Sequence, residues 1–345
     1  MAIQISGTTV IDNSTNVNVG AAGSFHVTDS GAFVKNNAVG LGTTDTTGRD
    51  AGVGTSKGTL IYNETDLTVQ VYDGTQWING LTSPFVATGG TEDTTSRSGY
   101  KVHTFTSPGS FSVTEGQRNV EYLIIAGGGG GGYTAGGGGG AGGYKTGTSM
   151  TVTPGTYPVT IGGGGAGATV DGNNGSKGAD SSFNSVTSEG GGFGRHAGAS
   201  GGDGGSGGGS GYTTGTGGSG TDYPGPNQQG FPGGDSGGGG GPQYTCAGGG
   251  GAGGAGESVI ANTPGGDGGI GQASSINGTS TTRAGGGGGS SGGGGGTGGP
   301  GGGGNGGFSL PGTGGTAGTP NTGGGGGGTG HNGGSGIVII AYPNA

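Results

Sequence analysis

A chain of 345 residues leaves room for two or three domains, but 111 glycines, 25% hydrophobic residues and 8% charged residues exclude a single large aliphatic core. A formal net charge of −9 argues against nucleic acid as a partner, because such proteins present a basic face. One cysteine, Cys246, excludes an intrachain disulfide, and no apolar stretch approaches the ~18 residues of a membrane span.

The N-terminus, MAIQISGTTV, has neither a basic n-region nor an apolar h-region, so no Sec-type export signal is expected. Residues 1–57 read as a β-rich attachment region. Ile3, Ile5, Val10, Ile11, Val17 and Val19 alternate with polar residues and turn formers, and no 3.6-residue period stands out. Within this region, 42–58 lacks large apolar side chains and reads as a loop. Residues 58–85 form a small module. Leu60–Tyr62, the alternating Leu67, Val69 and Val71, and Gln76–Ile78 predict three strands of a meander, with Asp73-Gly74 as a turn. Three short strands are marginal alone, so identical partner chains or the next domain are expected to support them, with a homotrimer as the expected assembly.

A third region, 86–345, opens on strand patterns at Tyr100–Phe105, Ser110–Val113 and Val120–Ile125. Glycine then dominates from 127 to 336, interrupted by strand-like islands at Tyr144–Val152, Tyr157–Ile161, Ser181–Thr187 and Ser274–Thr282. The chain closes on GIVIIAY at Gly336–Tyr342. Residues 178–192 and 271–287 form a weak internal repeat, each placing Ser-Ser-[Phe/Ile]-Asn before a glycine run, which suggests that each block is entered from the same sheet system.

Two states accommodate so much glycine. One is a disordered low-complexity chain, and the other is an ordered array of extended glycine helices. Collagen is excluded, because 13 prolines and uninterrupted runs such as 127–132 break the G-X-Y rule. A glycine run loses much entropy on ordering unless both ends are fixed. Here apolar strands bracket the runs, which favours order. The expected fold is all-β: an N-terminal short-strand region, then a β-sandwich carrying polyglycine-II helices. Backbone hydrogen bonds would replace a side-chain core, and surface loops would gather at one end.

These residues carry a resemblance. YKVHTFTSPGSFSV followed by VEYLIIAGGGGGG within 100–132, YPVTIGGGGAG at 157–167 and GGSGIVIIAYP at 333–343 resemble the glycine-rich domain of bacteriophage tail fibres and adhesins. GTLIYNETDLTVQVYDGTQWI resembles a small module of marine phage and cyanophage fibres. The resemblance spans about residues 60–345. It implies a virion protein with polyglycine-II helices and variable loops that bind a host surface glycan or outer-membrane protein. It also implies contact with other tail or capsid proteins through the N-terminus. It transfers a domain role, not individual residues.

Repeated GxGxxG matches carry little weight, because a dinucleotide site needs a strand–loop–helix context and no helix is expected. The GGDGG and GGDSGG motifs suggest a hard-cation site at Asp203, Asp235 or Asp267, but the spacing is irregular, and turn capping explains these residues more simply. No other metal and no cofactor is expected. The four histidines lack zinc spacing; His103 reads as a solvent-facing strand residue, and His26 or His331 could meet only on a trimer axis. No catalytic pair stands out. The segment 210–246 is the best candidate for recognition. It holds Tyr212, Tyr223, Phe231 and Tyr244 among prolines, and a stiffened aromatic loop offers contact area at low entropic cost, although the same rings could form local mini-cores. A non-enzymatic receptor-binding fibre is therefore expected. The alternatives are a non-viral extracellular fibril or surface matrix protein, and a capsid-decorating fibre. An ice-binding bundle fits poorly without a strict repeat.

Overall fold

The computed structural model describes residues 43, 44, 46, 47, 59–65, 68–79, 85–198, 200–238 and 243–344. Two compact units divide the chain, Met1–Thr82 and Ser83–Ala345. The strands expected before residue 40, and His26, lie outside the described residues. The structure is all-β.

In the first unit, β1 (Thr43–Thr44), β2 (Leu60–Asn63), β3 (Thr68–Tyr72) and β4 (Trp77–Asn79) form one sheet in that order. The last three are the expected meander. β1 falls where the sequence reads as loop. It joins β2 in parallel through its backbone, an addition that needs no apolar pattern. The turn at Asp73 is held by its own carboxylate, whose Oδ1 accepts the N–H groups of Thr75 (2.7 Å) and Gln76 (2.8 Å) and pulls its pKa down to about 2.

The second unit contains β5 (Val86–Thr88), β6 (Thr91–Asp93), β7 (Tyr100–Phe105), β8 (Gly109–Glu115), β9 (Arg118–Ile125), β10 (Tyr144–Val152), β11 (Gly155–Thr160), β12 (Ser181–Phe183), β13 (Val186–Ser188), β14 (Gln272–Ser274), β15 (Thr281–Arg283) and β16 (Ile337–Pro343). They make two five-stranded antiparallel sheets, ordered β10-β9-β16-β7-β6 and β13-β12-β11-β8-β5, and a two-stranded ribbon β14-β15. Phe111, Val113, Val159 and Phe183 from one sheet meet Val120, Ile124, Val338, Ile340 and Tyr342 from the other. The opposite face of the first sheet carries Leu123, Ile125, Ile337 and Ile339, which pack with Ile276 and Ala284 next to the ribbon. β16 is thus buried on both faces, which explains its unbroken apolar run. The two Ser-Ser-[Phe/Ile]-Asn islands are both hairpins, but they do not share a sheet. Residues 181–188 extend the second sheet, whereas 272–283 form the separate ribbon.

Beyond the sheets the glycine segments form a lattice whose partners recur every third residue. In 127–132 the N–H groups of Gly127 and Gly130 donate to Ala179 and Ser176, those of Gly128 and Gly131 to Gly334 and His331, and those of Gly129 and Gly132 to Gly140 and Gly137. The carbonyls follow the same rule, accepting from Gly191 and Gly194, from Gly165 and Ala168, and from Gly326 and Gly330. This one segment therefore bonds to six neighbours, at N···O distances of 2.8–3.1 Å. A three-residue period is the signature of polyglycine II, with a rise of ~3.1 Å per residue. The approach is too close for side chains: a Cβ on Gly139 would fall 2.1 Å from the carbonyl oxygen of Gly129.

The segments run alternately away from and back towards the sheets. Residues 127–132 leave β9, turn at 133–135, and return as 136–143 to β10. At ~3.1 Å per residue, those eight returning residues separate the tip from the sheet end by roughly 25 Å. Connections occur at both ends, not at one end as the sequence suggests. A lattice of alternating direction must turn at each end, and turns that do not join sheet strands still fall beside them, as 221–229 does.

Candidate functional site

The segment 210–246 is not one loop. Tyr212 sits in a tip turn. The chain returns through 215–220, turns at the sheet end through 221–229, and goes out again through 230–236. The N–H of Tyr144, the first residue of β10, donates to the Gln229 carbonyl (2.9 Å), and the N–H of Phe231 donates to Gly251 (3.0 Å). The four candidate aromatics therefore form two separate pairs. Tyr212 and Tyr244 meet edge to face at the tip with ring centroids 4.9 Å apart. Tyr223 and Phe231 pack at 5.4 Å near the sheet end.

The tip pair lines a cleft of about 180 Å³ with Thr134, Ala135, Asp171, His196 and Leu310. These side chains come from separate turns at 133–135, 168–174, 195–198 and 308–314, so the glycine lattice alone brings them together. His196 packs edge to face on Tyr212 at 5.8 Å, and its Nε2 lies 3.1 Å from Asp171 Oδ1. Leu310 is exposed, as is Phe308 in the same turn. The cleft thus offers aromatic edges, one exposed carboxylate, an imidazole and an aliphatic rim. Asp171, His196 and Leu310 were not singled out from the sequence. The available signal was their position, since each falls where a glycine run stops.

The three candidate cation ligands serve another purpose. Asp203 Oδ1 accepts the N–H of Ser219 (2.7 Å), Asp235 Oδ1 that of Gly217 (2.8 Å), and Asp267 Oδ1 that of Thr297 (2.6 Å). They do not cap turns but staple one glycine helix to the next at the lattice edge. Asn305 to Gly298 (2.9 Å) and Asn332 to Gly167 (2.8 Å) repeat the device. Among the described residues, no group of three His, Cys, Asp or Glu side chains comes together around a metal position.

His103 is not solvent-facing but fully buried. β7 lies between β16 and β6, and the ring enters the core between the two sheets. Its Nδ1 lies 2.8 Å from the Gly89 carbonyl and its Nε2 3.0 Å from the Tyr342 hydroxyl, and it stacks on Tyr342. Burial pushes its pKa below the usual histidine value, against the opposing pull of the Gly89 carbonyl and Glu92. Cys246 is also fully buried, and its thiol is pushed up to about 12, which removes it as a nucleophile.

With this architecture in view, the family model described as a glycine-rich domain matches residues 104–343. The chain belongs to that glycine-rich domain family. Among curated proteins, none matches the sequence. The matched span of the glycine-rich domain starts in β7 and ends on the last residue of β16, so it takes in most of both sheets and the whole lattice with both sets of turns.

Proposed function

We propose that this protein is a non-enzymatic, receptor-binding component of a phage tail fibre. In this reading its N-terminal unit faces the particle and its tip turns face a host surface glycan or outer-membrane component. The observation that carries the reading is the tip cleft, in which Tyr212, Tyr244, His196, Asp171 and Leu310 converge from turns far apart in sequence. A lattice with few and small side chains is a rigid mount that leaves such turns free to differ. Assembly as a homotrimer would repeat the cleft and turn weak single contacts into avidity.

The test uses the full chain as a competitor of particle adsorption to the host. Wild-type protein should block adsorption, and the double variant Tyr212→Ala/Tyr244→Ala should block far less at an unchanged melting temperature. Equal blocking by the two proteins would sink the tip assignment. Immunogold electron microscopy decides the wider reading: label on short particle spikes supports it, and label along filaments of cellular origin refutes it.

A further inference from the structure

The tip cleft is smaller than the hollows at the other end. Three clefts there, of about 420, 330 and 280 Å³, all reach Thr146; the first two also share Tyr144 and Gln228, and the first and third share Tyr122, so they run into one groove along β10. β10 is the edge strand of its sheet, so among the described residues no strand pairs with its outer side, which is held only at Tyr144 by the Gln229 carbonyl. The register shifts between Gly147 and Met150. The Tyr122 ring lies across Gly147, where a Cβ would come within 2.4 Å of it and push the ring aside. The opposite wall is the 221–229 turn, aimed by Asp222 in the left-handed region at φ 57°. Its Asn227 and Gln228 face the strand, and Gln272 of the ribbon continues the wall.

Carboxamides carry donors and an acceptor side by side, as vicinal sugar hydroxyls require, and tyrosine rings cover the C–H faces of pyranose rings. Amides, hydroxyls and two tyrosines, with Lys145, Asp222 and the Arg97–Glu121 ion pair as the charged lining, therefore suit a saccharide chain better than an apolar ligand. Beside the groove stands Arg283, the ladder partner of Gln272, only 8% exposed. Its Nη1 has no hydrogen-bond partner, and no carboxylate pairs with it among the described residues. Tyr144, which lines the groove, lies within reach of its charge. A buried guanidinium without an acid is costly, and an incoming anion offsets that cost.

The geometry points to a second ligand groove at the sheet end that takes an oligosaccharide bearing carboxylate groups. This groove does not depend on the tip cleft being a receptor site. The full chain is tested on an array of neutral hexasaccharides and their uronic- and sialic-acid counterparts, each acidic glycan also present as its methyl ester. Wild-type protein should retain acidic glycans at least ~10-fold more tightly than neutral ones and lose that margin on the esters. Asn227→Ala/Gln228→Ala should weaken retention of all glycans ~10-fold. Arg283→Met should abolish the acidic preference alone, with Arg283→Lys restoring part of it. If the arginine variants fail to fold, the comparison of acid with ester on wild-type protein decides the charge requirement. Absence of an acidic preference, or full retention by Asn227→Ala/Gln228→Ala, overturns the proposal. Loss of retention on Tyr212→Ala/Tyr244→Ala also overturns it, by assigning the glycan to the tip.

Discussion

Replacing Gly139 with alanine tests whether the lattice is the core of this protein. Gly139 donates its N–H to Gly326 and accepts from Gly287, so it bonds two neighbours while it touches a third. The new Cβ would lie 2.1 Å from the Gly129 oxygen and 2.6 Å from its carbon, where an ordinary contact needs more than 3 Å. Relief requires a shift of about 1 Å between two helices, which breaks two or three buried backbone bonds. At ~1–3 kcal/mol for each bond lost, the cost is about 2–9 kcal/mol. The entropic gain of alanine over glycine in the unfolded chain returns only ~0.4–1 kcal/mol. Gly163 supplies the control. It belongs to the same kind of segment, yet a Cβ there meets nothing within 4 Å. Gly163→Ala should therefore be neutral or slightly stabilising. Denaturant unfolding of the full-length variants measures both. A Gly139→Ala protein within ~1 kcal/mol of wild type would refute a backbone-bonded core, since one methyl group is then tolerated where the lattice has no space for it.

Three further outcomes follow from named residues. His103 has a folded pKa depressed by burial, so the unfolded chain binds its proton more readily. Stability should hold above pH ~6.5 and fall as pH drops below that value, and His103→Gln should flatten the slope between pH 7 and 5 in thermal scans. Asp235→Asn keeps an oxygen for the Gly217 N–H and should be nearly neutral, whereas Asp235→Ala should cost ~1 kcal/mol. A calcium-dependent rise in melting temperature that the Asn variant lacks would restore a cation role. Cys246 should resist a thiol reagent in the native protein at pH 8 and react fully once unfolded, and rapid native labelling would contradict its burial.

The apolar strands were the legible part of the fold. VEYLII and GIVIIAY announce themselves because β9 and β16 bury both faces, and the Asp73-Gly74 turn is fixed by a local carboxylate. β5 and β6 escaped notice. They are three residues each, mostly exposed, and carry no period to read. His103 misled because alternation with Val102 suggests an outward face, while the second sheet that covers it comes from distant sequence. The glycine segments hid the most. Their partner order is written in backbone geometry with a three-residue period, and glycine has no side chain to display it. Nothing in 210–246 therefore signals that Tyr212 and Tyr223 turn at opposite ends.

That same property decides where function can reside. At most lattice positions a Cβ meets a neighbouring carbonyl, so only small side chains such as Ala141, Ser206 and Ala247 are buried there and large ones are confined to the perimeter and the turns. The perimeter is largely spent on structure, with Asp203, Asp235, Asp267, Asn305 and Asn332 stapling adjacent helices. What remains for recognition is the two ends. The ends differ in chemistry because they differ in support. At the tip, turns pack only on each other, which gives a small cleft of ring edges around Tyr212 and Tyr244. At the sheet end, the 221–229 turn is braced against an edge strand. The Gln229 side chain accepts the Glu189 N–H at 2.9 Å, and the Gln229 carbonyl accepts the Tyr144 N–H at 2.9 Å. A braced wall facing a strand makes a long polar groove rather than a shallow cleft. Two kinds of site on one scaffold follow from which end a turn occupies, and that is set by the direction in which each glycine segment runs.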